Sequence, residues 1–412
     1  MAAPVPHDVA NRHQRVEAIA LPSPSLASTT MREARLDFFR GIAMFIIFIA
    51  HQPLNPWNNW IPARFGPSDA TEMFVFCSGF ASAIAFGGSF HRHGFAIGTL
   101  RIVHRCWQVY WSHLGLFLIV SASAVLGSRL SGGIDYVEAL YLQHFFAEPR
   151  QGLIGLVTLT YVPNYFDILP MYIGVLAMVP IVMALSRLGP GVALAALAAL
   201  YLAQWHFGWD LPAEWWSERP WFFDPFGWQL IFFTGFAFGF GWLPEPPRVR
   251  TLFWLALLFV LAMIPLSWQP LWSRWEWLGQ LSLQLAPYRD KTQFGILRYV
   301  HFLALAYLAL WIVNPMRSRL AGRWAAPITL VGQQALPVFL WSMVLAFVIG
   351  MVLDGIGRNW LTVLLANLGG FITLVAVATL ARYVRAQPWR QKEGRTRYAS
   401  AHHPPIALAT ES

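Results

Sequence analysis

Apolar stretches long enough to cross a bilayer recur along most of this 412-residue chain, and they decide what it can fold into. A hydrocarbon core about 30 Å thick takes about 20 successive apolar residues in a helix. Within it, every backbone N–H and C=O must find its partner inside the protein. Ten stretches stand out, at 36–53, 70–87, 102–126, 165–186, 190–207, 225–242, 251–268, 295–314, 328–353 and 360–382. Composition agrees: 57% of residues are hydrophobic and 12% charged, about half the charge of an ordinary soluble domain. A soluble enzyme, a disulfide scaffold, a disordered chain and a coiled coil are excluded. The expectation is an all-α, multi-pass integral membrane protein with about ten transmembrane helices.

Residues 1–35 are polar, rich in Pro, Ser and Ala, and hold no apolar core for a cleavable signal peptide. They read as a flexible cytoplasmic tail, followed by a transmembrane domain over 36–382 and a second basic cytoplasmic tail over 383–412. An even number of spans puts both tails on one side. Twenty of the 29 Lys and Arg residues then fall on that side and nine on the other, so both termini are expected in the cytoplasm. The formal charge of +9 belongs to this flanking pattern; no nucleic-acid recognition motif accompanies it. Cys77 and Cys106 lie in or beside apolar stretches and read as small core residues. No Cys/His set has metal spacing, and no Gly-rich phosphate loop follows a strand. On the outer side, Asp135–Phe146 carries a helical apolar stripe that suggests an interfacial helix. Tryptophans such as Trp57, Trp60, Trp215, Trp216 and Trp277 crowd the same side. They read as an aromatic belt, with sugar stacking as the sharper alternative.

An ionisable group inside a span is costly unless paired or hydrated, which makes each one a functional candidate. The first span opens Arg35-Leu-Asp-Phe-Phe-Arg-Gly41 and runs on apolar to His51. Asp37 and Arg40 can pair across one turn. Arg40 and His51, eleven residues apart, return to nearly the same helix face about 16 Å apart along the axis. The second span begins Ser68-Asp-Ala-Thr-Glu72. Asp69 and Glu72 have capping-box spacing, and a carboxylate at Glu72 could also orient the His51 imidazole as a base; the two uses are compatible. Further polar islands hold Asp167, Asp224 with Gln229, Lys291, and Arg298 with His301. All fall at the His51 level, the pattern of one shared outward-facing site. The Gln333-Gln334 pair lies at the opposite level, where packing between helices or lining a donor passage both fit.

These residues carry a resemblance. Arg40 and His51, with ten residues between them, resemble the signature of the membrane-bound acyltransferase family 3 superfamily. Leu36-Asp-Phe-Phe-Arg-Gly41, Ser68-Asp-Ala-Thr-Glu-Met-Phe-Val-Phe76 with Ser78-Gly79, Asp167-Ile-Leu-Pro170, Pro225-Phe-Gly-Trp-Gln229 and Leu336-Pro-Val-Phe339 resemble the OpgC-type proteins. The likeness covers about 36–380, with Asp224 where the family pattern expects Asn. That family is associated with adding succinyl groups to osmoregulated periplasmic glucans. The resemblance implies an inner-membrane O-acyltransferase that uses acyl-CoA, with succinyl-CoA foremost, as co-substrate, holds no bound cofactor or metal, and takes a periplasmic glucan as acceptor. It implies His51 as general base, or as carrier of a transient acyl group, oriented by Glu72 or Asp69. Arg40, held by Asp37, would meet the donor. Asp167, Asp224, Gln229, Lys291 and Arg298 would meet the substrate, with Lys291 or Arg298 neutralising a succinyl carboxylate. The alternative class is a transporter or flippase for a lipid or glycan, with His51 and Glu72 in proton coupling.

Overall fold

The computed structural model describes residues 26–313, 315 and 322–389. Eleven helices organise the site: α1 Leu26–His51, α2 Ala70–Ser82, α3 Gly88–Ser131, α4 Ile168–Leu185, α5 Pro190–Phe207, α6 Pro225–Phe240, α7 Arg250–Ser267, α8 Ile296–Val313, α9 Ala326–Gln333, α10 Ala335–Ile356 and α11 Trp360–Ala386. Among the described residues, seven helical segments are long and apolar enough to cross a membrane; the chain is a multi-pass membrane protein. The longest segment, Ala70–Ser131, merges two of the expected spans. A π-helical turn at Ala83–Gly87 and a break at Gly94, whose φ of 81° suits glycine, let the chain bend between α2 and α3. The 16-residue α6 is too short to be one of the seven.

Local sequence explains where the helices begin. Asp69 and Glu72 cap α2 reciprocally, and Asn359 and Thr362 do the same for α11. Asp224 accepts from the Phe226 and Gly227 N–H groups, with Pro225 at the first position of α6. Helix α6 is apolar on every side and runs through the interior, with Trp228, Phe232, Phe233 and Phe236 fully buried. It meets α2 backbone to backbone: a Cβ at Gly79 would strike the Phe232 carbonyl, and one at Gly235 that of Phe76. Helices α1 and α9 approach in the same way through Gly41 and Gly332.

Three expectations need amending. The expected N-terminal tail lies outside the described residues only through residue 25, because α1 already begins at Leu26. In the expected C-terminal tail, residues 390–412 lie outside the described residues, as do Arg317 and Arg319 of the charge count. The interfacial helix expected at 135–146 is broken in two, Tyr136–Ala139 and Gln143–Ala147, by a left-handed residue at Tyr141. The tryptophans divide: Trp60 and Trp277 are exposed, whereas Trp216 stacks on His144 at 4.1 Å and packs beside Tyr161.

Candidate active site

The two ends of α1 hold different chemistry. At its C-terminus, His51 Nδ1 lies 2.8 Å from the Ile47 carbonyl oxygen. A carbonyl only accepts, so Nδ1 carries the proton and the neutral ring leaves its lone pair on Nε2. The ring is flanked edge to face by Tyr165, centroids 5.7 Å apart. The Tyr165 hydroxyl is tied to the Met343 carbonyl at 2.7 Å. Tyr165 was not singled out in the sequence, because its pairing to a helix 114 positions away, from Tyr165 back to His51, leaves no local pattern.

Beside this end stands a four-residue charge network. Glu72, with 0% exposure, takes the Asp69 N–H at 2.7 Å on one oxygen and Arg298 Nε at 2.7 Å on the other. Asp69 takes Lys291 Nζ at 2.7 Å and Arg298 at 3.4 Å. Burial opposes ionisation of Asp69, but Lys291 and Arg298 outweigh it and hold the carboxyl below the usual carboxylate range. This arrangement corrects the expected roles. Among the described residues neither Glu72 nor Asp69 hydrogen-bonds the imidazole; their oxygens are taken by Arg298, Lys291 and the helix cap. Arg298 is buried, with its guanidinium shared between Glu72 and Asp69. Lys291 keeps some surface, lies over the Phe223 ring, and is near enough to act electrostatically on both His51 and Asp167.

Asp167 is 5% exposed, makes no side-chain cap for α4, and one of its oxygens has no hydrogen-bond partner among the described residues. A buried carboxylate oxygen left open is expensive, and functional sites are where such groups survive. The other two substrate candidates fall elsewhere. Asp224 caps α6, and burial pushes its carboxyl up to about 7 against the pull of the two backbone N–H groups. Gln229 is fully buried and donates to the Leu197 carbonyl on α5 at 2.9 Å. Asp224 is committed to the helix cap, whereas the Gln229 side-chain oxygen is buried with no hydrogen-bond partner among the described residues.

At the other end of the same helix stratum, Arg40 pairs with Asp37 at 3.6 Å and opens onto a cavity of about 960 Å³. Its wall carries Arg101, Arg105, His104 and Arg385 together with Gln333 and Gln334. Gln334 marks the break between α9 and α10, and its buried side-chain oxygen has no partner among the described residues. The three further arginines entered the sequence reading only as topology charges; their convergence on one chamber is a tertiary fact. His51 is not on this wall. Between the two ends lies an apolar layer that includes Met44 and Ile47 of α1, Phe74 of α2 and Phe339 of α10, the two phenylalanines stacked at 6.1 Å.

The arrangement places a neutral imidazole, an Asp167 carboxyl with one oxygen unpartnered among the described residues, and a lysine at one end, and a basic chamber of cofactor size at the other. No curated protein and no solved structure matches the chain. The family described as OpgC protein matches residues 32–386, most of the chain and every site residue just described, and the chain belongs to that family.

Proposed function

We propose that the chain is an integral-membrane O-acyltransferase that moves an acyl group, succinyl foremost, from cytoplasmic acyl-CoA to hydroxyls of a periplasmic glucan. Family membership supports the coarser part of this reading, an acyltransferase role in glucan modification. The observation that carries the rest is the cavity of about 960 Å³ walled by Arg40, Arg101, Arg105 and Arg385. Guanidinium groups suit phosphates through paired, charge-assisted hydrogen bonds, and a nucleotide-bearing donor presents several phosphates. The proposed setting is the inner membrane, ten spans, with both termini and the Arg40 chamber on the cytoplasmic side.

In this mechanism Asp37 steadies Arg40 against the donor, and Gln334 offers its open oxygen to the donor's amide arm. The thioester advances along α1 toward His51, about 16 Å away. His51 Nε2 removes the proton of the acceptor hydroxyl as that oxygen attacks the thioester carbonyl. The new C–O bond forms, the C–S bond breaks, and the imidazolium returns its proton to the departing thiolate. Asp167 accepts a hydrogen bond from a second acceptor hydroxyl. Lys291, the cation with surface left, meets the carboxylate of a succinyl group. Asp69, Glu72 and Arg298 hold Lys291 and the start of α2 in place.

The test is mass spectrometry of periplasmic glucans from a strain lacking this protein, complemented with wild type or His51→Ala at matched membrane levels. Wild type adds the acyl mass to the glucan, and His51→Ala lowers the modified fraction by a factor of about 10² or more, the usual worth of a positioned base. Equal modification by the two would remove His51 from the chemistry. Unmodified glucans with wild type would refute the acceptor, and transport of a lipid or glycan without covalent change would then be the surviving class.

A further inference from the structure

The pair α7 and α8 is joined to the rest of the bundle by hydrogen bonds and ring contacts at one end only, among the described residues. Every hydrogen bond and ring contact that joins α8 to α2, α6 or the start of α2 comes from residues 298–302, among the described residues. Arg298 reaches Glu72, Tyr299 meets Thr234 at 3.0 Å, His301 meets Ser68 at 2.7 Å, and the Phe302 ring lies 5.3 Å from that of Phe76. Further along, Leu303 and Ala306 still touch the main core, while Ala256, Tyr307 and Leu308 form a separate apolar cluster between α8 and α7. Between this pair and the main bundle runs an apolar groove of about 840 Å³.

Its dimensions and its ends are informative. The α8 wall of the groove runs from Tyr299 to Leu310, about 16 Å along the helix, which is the depth of one leaflet of a hydrocarbon core about 30 Å thick. The closed end is the polar junction at Ser68 and Asp69. The open end lies at the Arg40 level of the molecule, where Arg35 and Leu252 line it, the exposed Arg248 stands just before α7 and the exposed Arg250 is its first residue. Glu245 lines that mouth opposite Arg35, and Arg248 and Arg250, which lie in sequence between the lining residues Pro246 and Leu252, make its surroundings positive. An apolar slot one leaflet deep with a basic mouth is complementary to a single class of bilayer component.

We propose that this groove binds one anionic phospholipid, its acyl chains between α8 and α2 and its headgroup at Arg35, Arg248 and Arg250. The lipid fills the space that side chains leave open and completes the attachment of the α7–α8 pair. Because Arg298 is carried on α8, and Lys291 on the segment that leads into it, the bound lipid also steadies the charge network beside His51. The assignment stands on the groove and its mouth and is independent of the transfer chemistry.

The full-length protein, purified from its membrane in mild detergent, is examined by native mass spectrometry, and the retained lipid is identified by fragmentation. One phospholipid per chain is expected, with anionic headgroups enriched about thirtyfold over the source membrane, the order that two arginines near a headgroup supply. Ala309→Trp, which narrows the slot, abolishes retention. Arg248→Gln with Arg250→Gln, which leaves the slot intact, keeps the lipid and removes the headgroup preference, so the assignment remains testable if the tryptophan variant does not fold. A folded wild type without retained lipid, retention at the headgroup composition of the source membrane, a prenyl lipid or acyl-CoA in place of phospholipid, or an unchanged preference in the arginine variant would each overturn it.

Discussion

At the scale of single residues, the molecule separates polar groups that are spent from those that are open. Glu72 and Arg298 are spent on each other, and Asp224 on the first turn of α6. His51 Nε2 and one Asp167 oxygen are open. The register of Arg40 and His51 was legible in the sequence because eleven residues are three helical turns, a purely local fact. The partner of Glu72 was not, because Arg298 is 226 positions away and nothing in the sequence near Glu72 distinguishes an imidazole from a guanidinium as its neighbour. Asp224 gives a direct check of a structural rather than substrate role. Its carboxyl sits near 7 when folded against 3.8 as its ordinary value. The folded protein therefore keeps a proton that the unfolded chain has already released, and stability falls as pH rises through that interval. Asp224→Asn keeps the cap and removes the titration. Thermal unfolding in detergent between pH 4 and 7.5 is expected to show a downward slope for wild type, a flatter one for the variant, and unchanged acyl transfer. A parallel slope in both proteins, or lost transfer, would put Asp224 back among the ligand contacts.

At the scale of helices, the ends were readable and the interfaces were not. Ser68-Asp-Ala-Thr-Glu72 announces a capping box, and α2 starts there. The pairing of α1 with α9, by contrast, depends on Gly41 lying against the Ile328 carbonyl and Gly332 against that of Asp37, a coincidence of two small residues nearly three hundred positions apart. Close backbone approach is what holds helices together where no hydrophobic drive separates protein from lipid. It also fixes Asp37, and through it the Arg40 guanidinium at the cavity mouth. Gly332→Ala is expected to cost about 1–3 kcal/mol, as overpacked sites do, read as a lower unfolding midpoint and weaker donor binding. Gly369→Ala on α11 faces open space and is expected to be neutral or to gain up to about 1 kcal/mol from helix propensity. Equal responses at the two glycines would mean that α1 and α9 are not locked by backbone contact.

At the scale of the whole molecule, a basic chamber and a histidine site occupy opposite ends of one bundle, with the stratum of Met44, Ile47, Phe74 and Phe339 between them. A group that passes from one end to the other must pass this stratum, yet water and small ions must not, for a buried ion without partners is prohibitively costly only while the path stays dry. The proposed transfer therefore requires this stratum to act as electrical insulation as well as packing. In liposomes holding a pH gradient, wild type is expected to preserve the gradient and Phe339→Ser to discharge it faster, with His51 untouched; equal decay would place the insulating layer elsewhere. On the proposed transfer across an energised membrane, two stacked phenyl rings would help the cell carry out that chemistry without lowering the voltage.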